Sequence, residues 1–199
     1  MRTLPLPYTS AGYAAAFYLT FLAWAIPEWF GSLRQRVRGA ARREDRGSYA
    51  VVLATTVLGL VLYFFLAGAA PGATIFWHRR AFFVAGIALA LLGVALRQYA
   101  IRCLGRYFTR AVAVHPGQVV VQRGPYRFVR HPAYSGTLLT VLGLGLALTN
   151  WASLLALVLC VLAGHLYRID VEERALRAAL GKPYEDYMRR TRRLIPFVY

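Results

Sequence analysis

The chain has 199 residues, 58% of them hydrophobic, and a formal net charge of +16. An apolar load of that size, gathered in long runs, excludes an ordinary soluble domain and predicts a polytopic membrane protein with one membrane domain over residues 1–199. The basic excess does not mark a nucleic-acid binder, because no recognised motif or soluble basic helix is present and the arginines fall in loops beside apolar runs, where they act as orientation signals and contacts for anionic membrane lipids.

The first apolar segment runs from about Tyr13 to Phe30, with Pro27 near its end. Arg2, the apolar run and Ala23-Trp24-Ala25 loosely imitate a cleavable secretory signal. The run is long, carries Tyr13 and Tyr18 and ends in an arginine-rich loop, so it reads as a retained first span. That loop holds Arg34, Arg36, Arg38, Arg42, Arg43 and Arg46, with Glu44 and Asp45 as its acids. The second segment covers about Tyr49 to Ala69 and the third about Ala81 to Ile101, with a Pro-Gly turn, His78, Arg79 and Arg80 between them. Each matches the roughly 20 residues a helix needs to cross hydrocarbon.

Residues 102–135 differ in kind. They contain Arg102, Arg106, Arg110, Arg123, Arg127 and Arg130, turn signals at Pro116-Gly117 and Gly124-Pro125, and a short extended run, Gln118 to Gln122. We read a structured connector at the membrane face. Residues 136–167 are apolar again, broken at Thr149-Asn150, and predict a helical hairpin whose first arm, at about thirteen residues, is short for a complete crossing. From Arg168 the pattern becomes amphipathic up to Gly181, with Leu176 and Leu180 on one face and Arg168–Glu172 and Glu173–Arg177 spaced to pair. A short helix from Pro183 to about Arg192 follows, then an apolar tail, Arg193 to Tyr199, expected to dock back onto the domain.

The fold class is therefore an all-α integral membrane protein of about five transmembrane helices. Arginine counts place the loop after the first span, the connector and the C-terminus on the cytoplasmic side, with the N-terminus outside. Cys103 and Cys160 lie in apolar segments at no redox or metal spacing, and His78, His115, His131 and His165 are too dispersed to hold a metal, so no metal is expected.

Two polar patches carry chemistry. In Gly124-Pro125-Tyr126-Arg127-Phe128-Val129-Arg130-His131-Pro132-Ala133-Tyr134, the prolines keep the backbone irregular and its amides available. Tyr126, Phe128 and Tyr134 can wall a flat ring, and Arg130 and His131 can donate to a carboxylate. On these residues alone the patch is equally a loop anchored at the interface and a pocket for a small amphiphilic cofactor. The second patch, Arg168-Ile-Asp170-Val-Glu172-Glu173, holds three of the chain's eight acids. It is either a solvated helix start or a place where a carboxylate meets a cation and Arg168 meets an anion.

Taken together, Arg130-His131-Pro132-x-Tyr134-x-Gly136, Arg168-x-x-x-Glu172-Glu173-x-x-Leu176, Gly181-x-x-Tyr184-x-x-Tyr187 and the closing Arg193-Leu-Ile-Pro resemble the isoprenylcysteine carboxyl methyltransferase family across about residues 95–196. Residues 1–70 carry no signature. The resemblance implies an S-adenosyl-L-methionine-dependent membrane methyltransferase whose cofactor pocket lies at the cytoplasmic face, closed by the connector and the C-terminal helices. It assigns Gln118, Val119, Val120, Val121, Tyr126, His131, Pro132, Ala133, Tyr134, Glu172 and Glu173 to the cofactor and Arg168 to the substrate, with Arg168 and Glu172 as the catalytic pair. A carboxylate acceptor is already ionised near neutral pH, so neither residue is needed as an acid or base. Arg168 orients the acceptor and Glu172 acts electrostatically.

The arginine-dominated composition suggests a bacterium and its inner membrane, where prenylated C-terminal cysteines are not the expected acceptor. The expected partner is a lipophilic or lipid-linked carboxylate. Other readings of the same motifs are a phospholipid N-methyltransferase, a sterol-type membrane reductase with a nicotinamide cofactor, and a non-catalytic lipid-binding membrane protein. The orientation has a direct check. A cysteine placed at Ser32, in a background without Cys103 and Cys160, is expected to react with impermeant maleimide from the cytoplasmic side; labelling from the outside would reverse the topology.

Overall fold

A computed structural model describes residues 4–34, 42–43, 45–109 and 112–196. Most of the arginine-rich loop (35–41 and 44), Arg110, and the last three residues of the tail lie outside the described residues.

Five long helices stand where five spans are expected: α1 Ala11–Arg34, α2 Ser48–Ala69, α3 Arg79–Leu104, α4 Pro132–Leu148 and α5 Trp151–Leu180. A short α6, Lys182–Arg190, follows. The described strands are a two-residue antiparallel pair, β1 Arg42–Arg43 with β2 Ala113–Val114, which joins the loop after α1 to the connector. By length and hydropathy α2, α3 and α5 can each cross a bilayer, whereas α4 has 17 residues. Local chemistry sets the boundaries. Pro132 starts α4 at a position where its missing N–H costs nothing, Asn150 caps α5 by accepting from the Ser153 N–H (3.0 Å), and Gly105 and Gly181, both at φ +58°, end α3 and α5.

The boundary expected at Arg168 is absent. The apolar arm and the amphipathic segment are one unbroken 30-residue helix, because neither proline nor a run of turn-forming residues interrupts Trp151 to Leu180. At 1.5 Å per residue such a helix is about 45 Å long, more than the ~30 Å of hydrocarbon, so its C-terminal turns stand clear of the membrane.

The short helix α4 solves its length problem by being the innermost element. Eleven of its residues are buried, against α3 on one side and α5 on the other. Its seam with α3 is built from small residues spaced seven apart on both helices, Gly86 and Gly93 facing Gly143 and Gly136. A Cβ on Gly86 would lie 2.5 Å from the Ala147 nitrogen, one on Gly136 2.7 Å from the Arg97 nitrogen, and one on Gly143 inside the backbone of Ala90. Close backbone approach of this kind replaces the hydrophobic drive that helices lose in lipid. Phe17, Tyr63, Leu144, Leu148, Leu157 and Val161 fill the rest of the core. Polar groups there are satisfied internally: Tyr63 Oη donates to Leu144 O (2.7 Å) and Ser153 Oγ to Tyr63 O (2.8 Å).

The two ends of the bundle differ. At one, Thr149 and Asn150 lock the hairpin tip to the turn after α2, with Ile75 N–H donating to Thr149 O (2.8 Å) and Asn150 Nδ2 to Ala70 O (3.0 Å). At the other, the connector, α6 and the tail gather around the start of α4. Gly143→Val is expected to lose about 1–3 kcal/mol of stability by overpacking the seam, read as a lower thermal midpoint in detergent; an unchanged midpoint would mean that α3 and α4 are not in this register.

Candidate functional site

The site is assembled on α5. Glu173, its side chain 1% exposed, sits at the centre of a polar group drawn from two other stretches of the chain. Arg130 Nε donates to its Oε1 (2.7 Å), His131 Nε2 lies 3.3 Å from the same oxygen, and Arg193 Nη2 reaches Oε2 (2.9 Å). A carboxylate only accepts, so the His131 nitrogen facing Glu173 is the protonated one. The carboxylate that Arg130 and His131 were expected to bind is thus supplied by the chain itself. Glu173 engages these groups, and Arg177 is not among its partners.

Backbone bonds reinforce the arrangement. Arg130 N–H donates to Arg192 O (2.7 Å), His131 N–H to Arg193 O (3.0 Å) and Arg192 N–H to Phe128 O (3.3 Å). Ser135 Oγ donates to Leu194 O (2.6 Å). The tail therefore docks onto the first polar patch as far as Leu194, which is buried; the expectation for Phe197 to Tyr199 lies outside the described residues.

One residue before Glu173, Glu172 faces an open cleft instead. Its side chain is 27% exposed, accepts from Tyr134 Oη (2.8 Å), and lies 3.8 Å from His131 Nδ1. The two patches, more than forty residues apart in sequence, thus converge within ion-pair distance. Tyr134 stacks on His131 at an interplanar angle of 14° and receives Arg168 Nε at 3.3 Å.

The cleft holds about 840 Å³ of empty space, part of it open to solvent. Gln118, Val119, Val120 and Val121 form one wall as an extended run outside any sheet. Tyr126, Tyr184 and Tyr187 form an aromatic floor, Ala133, Tyr134, His131 and Arg168 the inner end, and Leu176 and Leu180 the rim on α5. Burial pushes the phenols of Tyr126, Tyr184 and Tyr187 up, further from ionisation, so all three stay neutral walls. Among the described residues lining the cleft, Glu172 is the acid. Pro132 and Glu173 do not line it: one starts α4 and the other holds the wall from behind. Phe128, read from sequence as part of the aromatic wall, is 56% exposed and outside the cleft. Tyr184 and Tyr187 take its place.

Two buried charges were invisible to sequence reasoning. Asp45, in the loop before α2, pairs with Arg168 Nη1 and accepts from Ser48 Oγ (3.0 Å), Val112 N–H (3.2 Å) and Tyr49 N–H (3.3 Å). Burial raises its carboxyl, but these hydrogen bonds and the Arg168 charge outweigh that and hold it below the usual carboxylate range. On α3, Arg97 makes a two-pronged ion pair with Glu28 of α1 and donates to Ala133 O (3.2 Å), fixing the first turn of α4 beside Tyr134. For Arg97 and Glu28 the sequence signal is an isolated charge inside an apolar run, whereas Asp45 is masked by its charged neighbours Arg43, Glu44 and Arg46.

The cleft fits a ligand with a flat ring, a cationic centre and a polar end. Tyr126, Tyr184 and Tyr187 line it with aromatic rings, and Glu172 is the acid among the described residues lining it.

Comparison with known proteins agrees with this geometry. Residues 86–178 match the family model described as the isoprenylcysteine carboxyl methyltransferase (ICMT) family. Protein-S-isoprenylcysteine O-methyltransferase B of Arabidopsis thaliana is 34% identical over 115 residues, which are 57% of this chain and 58% of the relative. The protein-S-isoprenylcysteine O-methyltransferase of Schizosaccharomyces pombe is 31% identical over 110 residues, 48% of this chain and 47% of the relative. The matches span 60% or less of the length of these and the other curated relatives. A solved structure of the eukaryotic intramembrane Ras methyltransferase ICMT superimposes with a TM-score of 0.57 at 25% identity, covering 94% of this chain and 66% of that one. The resemblance read from the motifs is borne out, and so is the helical membrane fold.

Replacing Glu173 by glutamine removes the buried countercharge of Arg130 and leaves Arg193 to its half-exposed partner Asp170 (2.9 Å). It is expected to cost about 3–5 kcal/mol, the scale for breaking a buried pair from one side, measured as a lowered thermal midpoint in detergent. A loss below ~1 kcal/mol, as for a surface pair, would contradict the packing described.

Proposed function

We propose, from the family match over residues 86–178 and the cleft those residues enclose, that the chain is an S-adenosyl-L-methionine-dependent membrane methyltransferase acting on a lipophilic carboxylate. The observation that carries this reading is the approach of His131 to Glu172, 3.8 Å between Nδ1 and Oε2, at one end of a cleft walled by the extended connector. S-adenosyl-L-methionine supplies a methyl group already activated on a sulfonium. The protein has to bind, align and exclude water.

In this reading Gln118 to Val121 offer backbone groups along one edge of the cofactor and Tyr126 its ring surface. Pro132 and Ala133 shape the turn that presents His131 and Tyr134. Glu172 attracts the cationic end and Glu173 positions Arg130 and His131. Arg168 orients the acceptor carboxylate, which attacks unaided by any base because it is ionised at neutral pH. The acceptor carries an isoprenoid-like or fatty tail and comes from the bilayer. The arginine-rich end faces the cytoplasm, in contact with anionic headgroups, and the N-terminus faces outward across a bacterial inner membrane.

Calorimetry in lipid nanodiscs tests the cofactor assignment. His131→Ala and Tyr134→Phe are each expected to weaken S-adenosylhomocysteine binding by about tenfold, the scale of one good hydrogen bond or stack in a buried site, with both variants still eluting as folded, monodisperse protein. Wild-type protein that binds no S-adenosylhomocysteine would overturn the proposal. Arg168→Ala is expected to abolish methylation of carboxylates; equal loss on amine acceptors would argue for a different substrate class.

A further inference from the structure

We propose that Asp45 is a positioning residue for the acceptor half of the site: it aims Arg168 into the cleft and tempers its charge so that a bound carboxylate keeps its nucleophilicity. The inference rests on the reading of Arg168 as the acceptor-orienting group and deepens it. Nothing in the motifs points to Asp45, which lies in the segment without a family signature.

Three observations converge. First, the Arg168 side chain is 5% exposed and the Asp45 side chain 6%, so the pair is shielded from water and neither charge is screened by it. Second, Asp45 is fixed: Ser48 Oγ, Val112 N–H and Tyr49 N–H all donate to it, and Ser48 also receives Arg168 Nη1 at 2.8 Å. Third, the guanidinium is held at two places, by Asp45 at Nη1 and by Tyr134 Oη at Nε, and Tyr134 passes its own proton toward Glu172. A continuous line of hydrogen bonds runs from the connector at Val112 through Asp45, Arg168 and Tyr134 to Glu172.

The chemistry explains why such a clamp helps. On methylation a carboxylate lone pair forms the new C–O bond, the pair of the broken S–C bond returns to sulfur, and no proton moves. Anion and sulfonium cancel to a neutral ester and thioether. A lone guanidinium in a dry site would stabilise the anion more than a transition state in which its charge is already fading, and would slow the reaction it positions. A guanidinium that already has a carboxylate partner keeps its direction and loses much of that ground-state grip. Because Val112 is on the connector and lines the cleft, the same acid also ties the acceptor side to the wall opposite.

The test compares a farnesylated cysteine with its methyl ester, both titrated into wild type and Asp45→Asn in nanodiscs without any methyl donor. The amide can still accept from Val112 and Arg168. We expect the carboxylate to bind about tenfold tighter in Asp45→Asn and the neutral ester to bind within about twofold of wild type; in a separate turnover assay with S-adenosyl-L-methionine added, kcat is expected to fall about tenfold. Asp45→Glu, which keeps the charge, is expected to retain the wild-type preference between acid and ester, and it reads out the proposal if Asp45→Asn does not fold. An unchanged or weakened carboxylate affinity, a parallel change for acid and ester, or a tenfold shifted preference in Asp45→Glu would each overturn the role of Asp45 alone. Wild type that neither binds nor methylates a lipophilic carboxylate would overturn the reading of Arg168 beneath it.

Discussion

A single buried carboxylate organises the arginine-rich end of this bundle. Glu173 takes Arg130, His131 and Arg193, so one residue of α5 gathers the turn before α4, the motif histidine and the tail. Desolvating those charges is costly, and only their mutual geometry compensates. The arrangement is therefore cooperative: remove the acid and Arg130 loses its carboxylate, while Arg193 keeps Asp170 at the surface. Everything the cleft needs, from the His131 ring plane to the docking of residues 191–194, follows from that constraint. Glu172, its neighbour in the chain, turns the other way and lines the cleft.

The depth of the site depends on a second constraint, the glycine seam between α3 and α4. Close approach lets a 17-residue helix remain inside protein for most of its length. It also brings Arg97 of α3 within reach of Ala133 and Glu28. Helix packing and site geometry are thus one problem here: the spacing that packs the seam also sets where Tyr134 stands.

Much of this was legible in the sequence. Long apolar runs gave the helices, Thr149-Asn150 the hairpin tip, and Gly181 the end of α5, because each is a local signal with a local cause. The motif residues converged as their resemblance implied, with His131, Tyr134, Arg168 and Glu172 lining one cleft. What stayed hidden was pairing across distance. Nothing in the order of residues says that Arg168 turns to Asp45, that Glu173 turns from Arg177 to Arg130, or that Phe128 points outward while Tyr184 and Tyr187 point in. The helix boundary placed at Arg168 was wrong for an instructive reason. A change from apolar to amphipathic pattern marks the helix leaving the bilayer, and leaving the bilayer does not end a helix.

That unbroken helix acts as a ruler. Arg168 and Glu172 are one turn apart on it, about 6 Å along the axis, and no loop movement can alter the interval. The two ends of the polar line are therefore gauged by a rigid rod, while the facing bank of the cleft, Gln118 to Val121, belongs to neither helix nor sheet and takes its position from what it packs against.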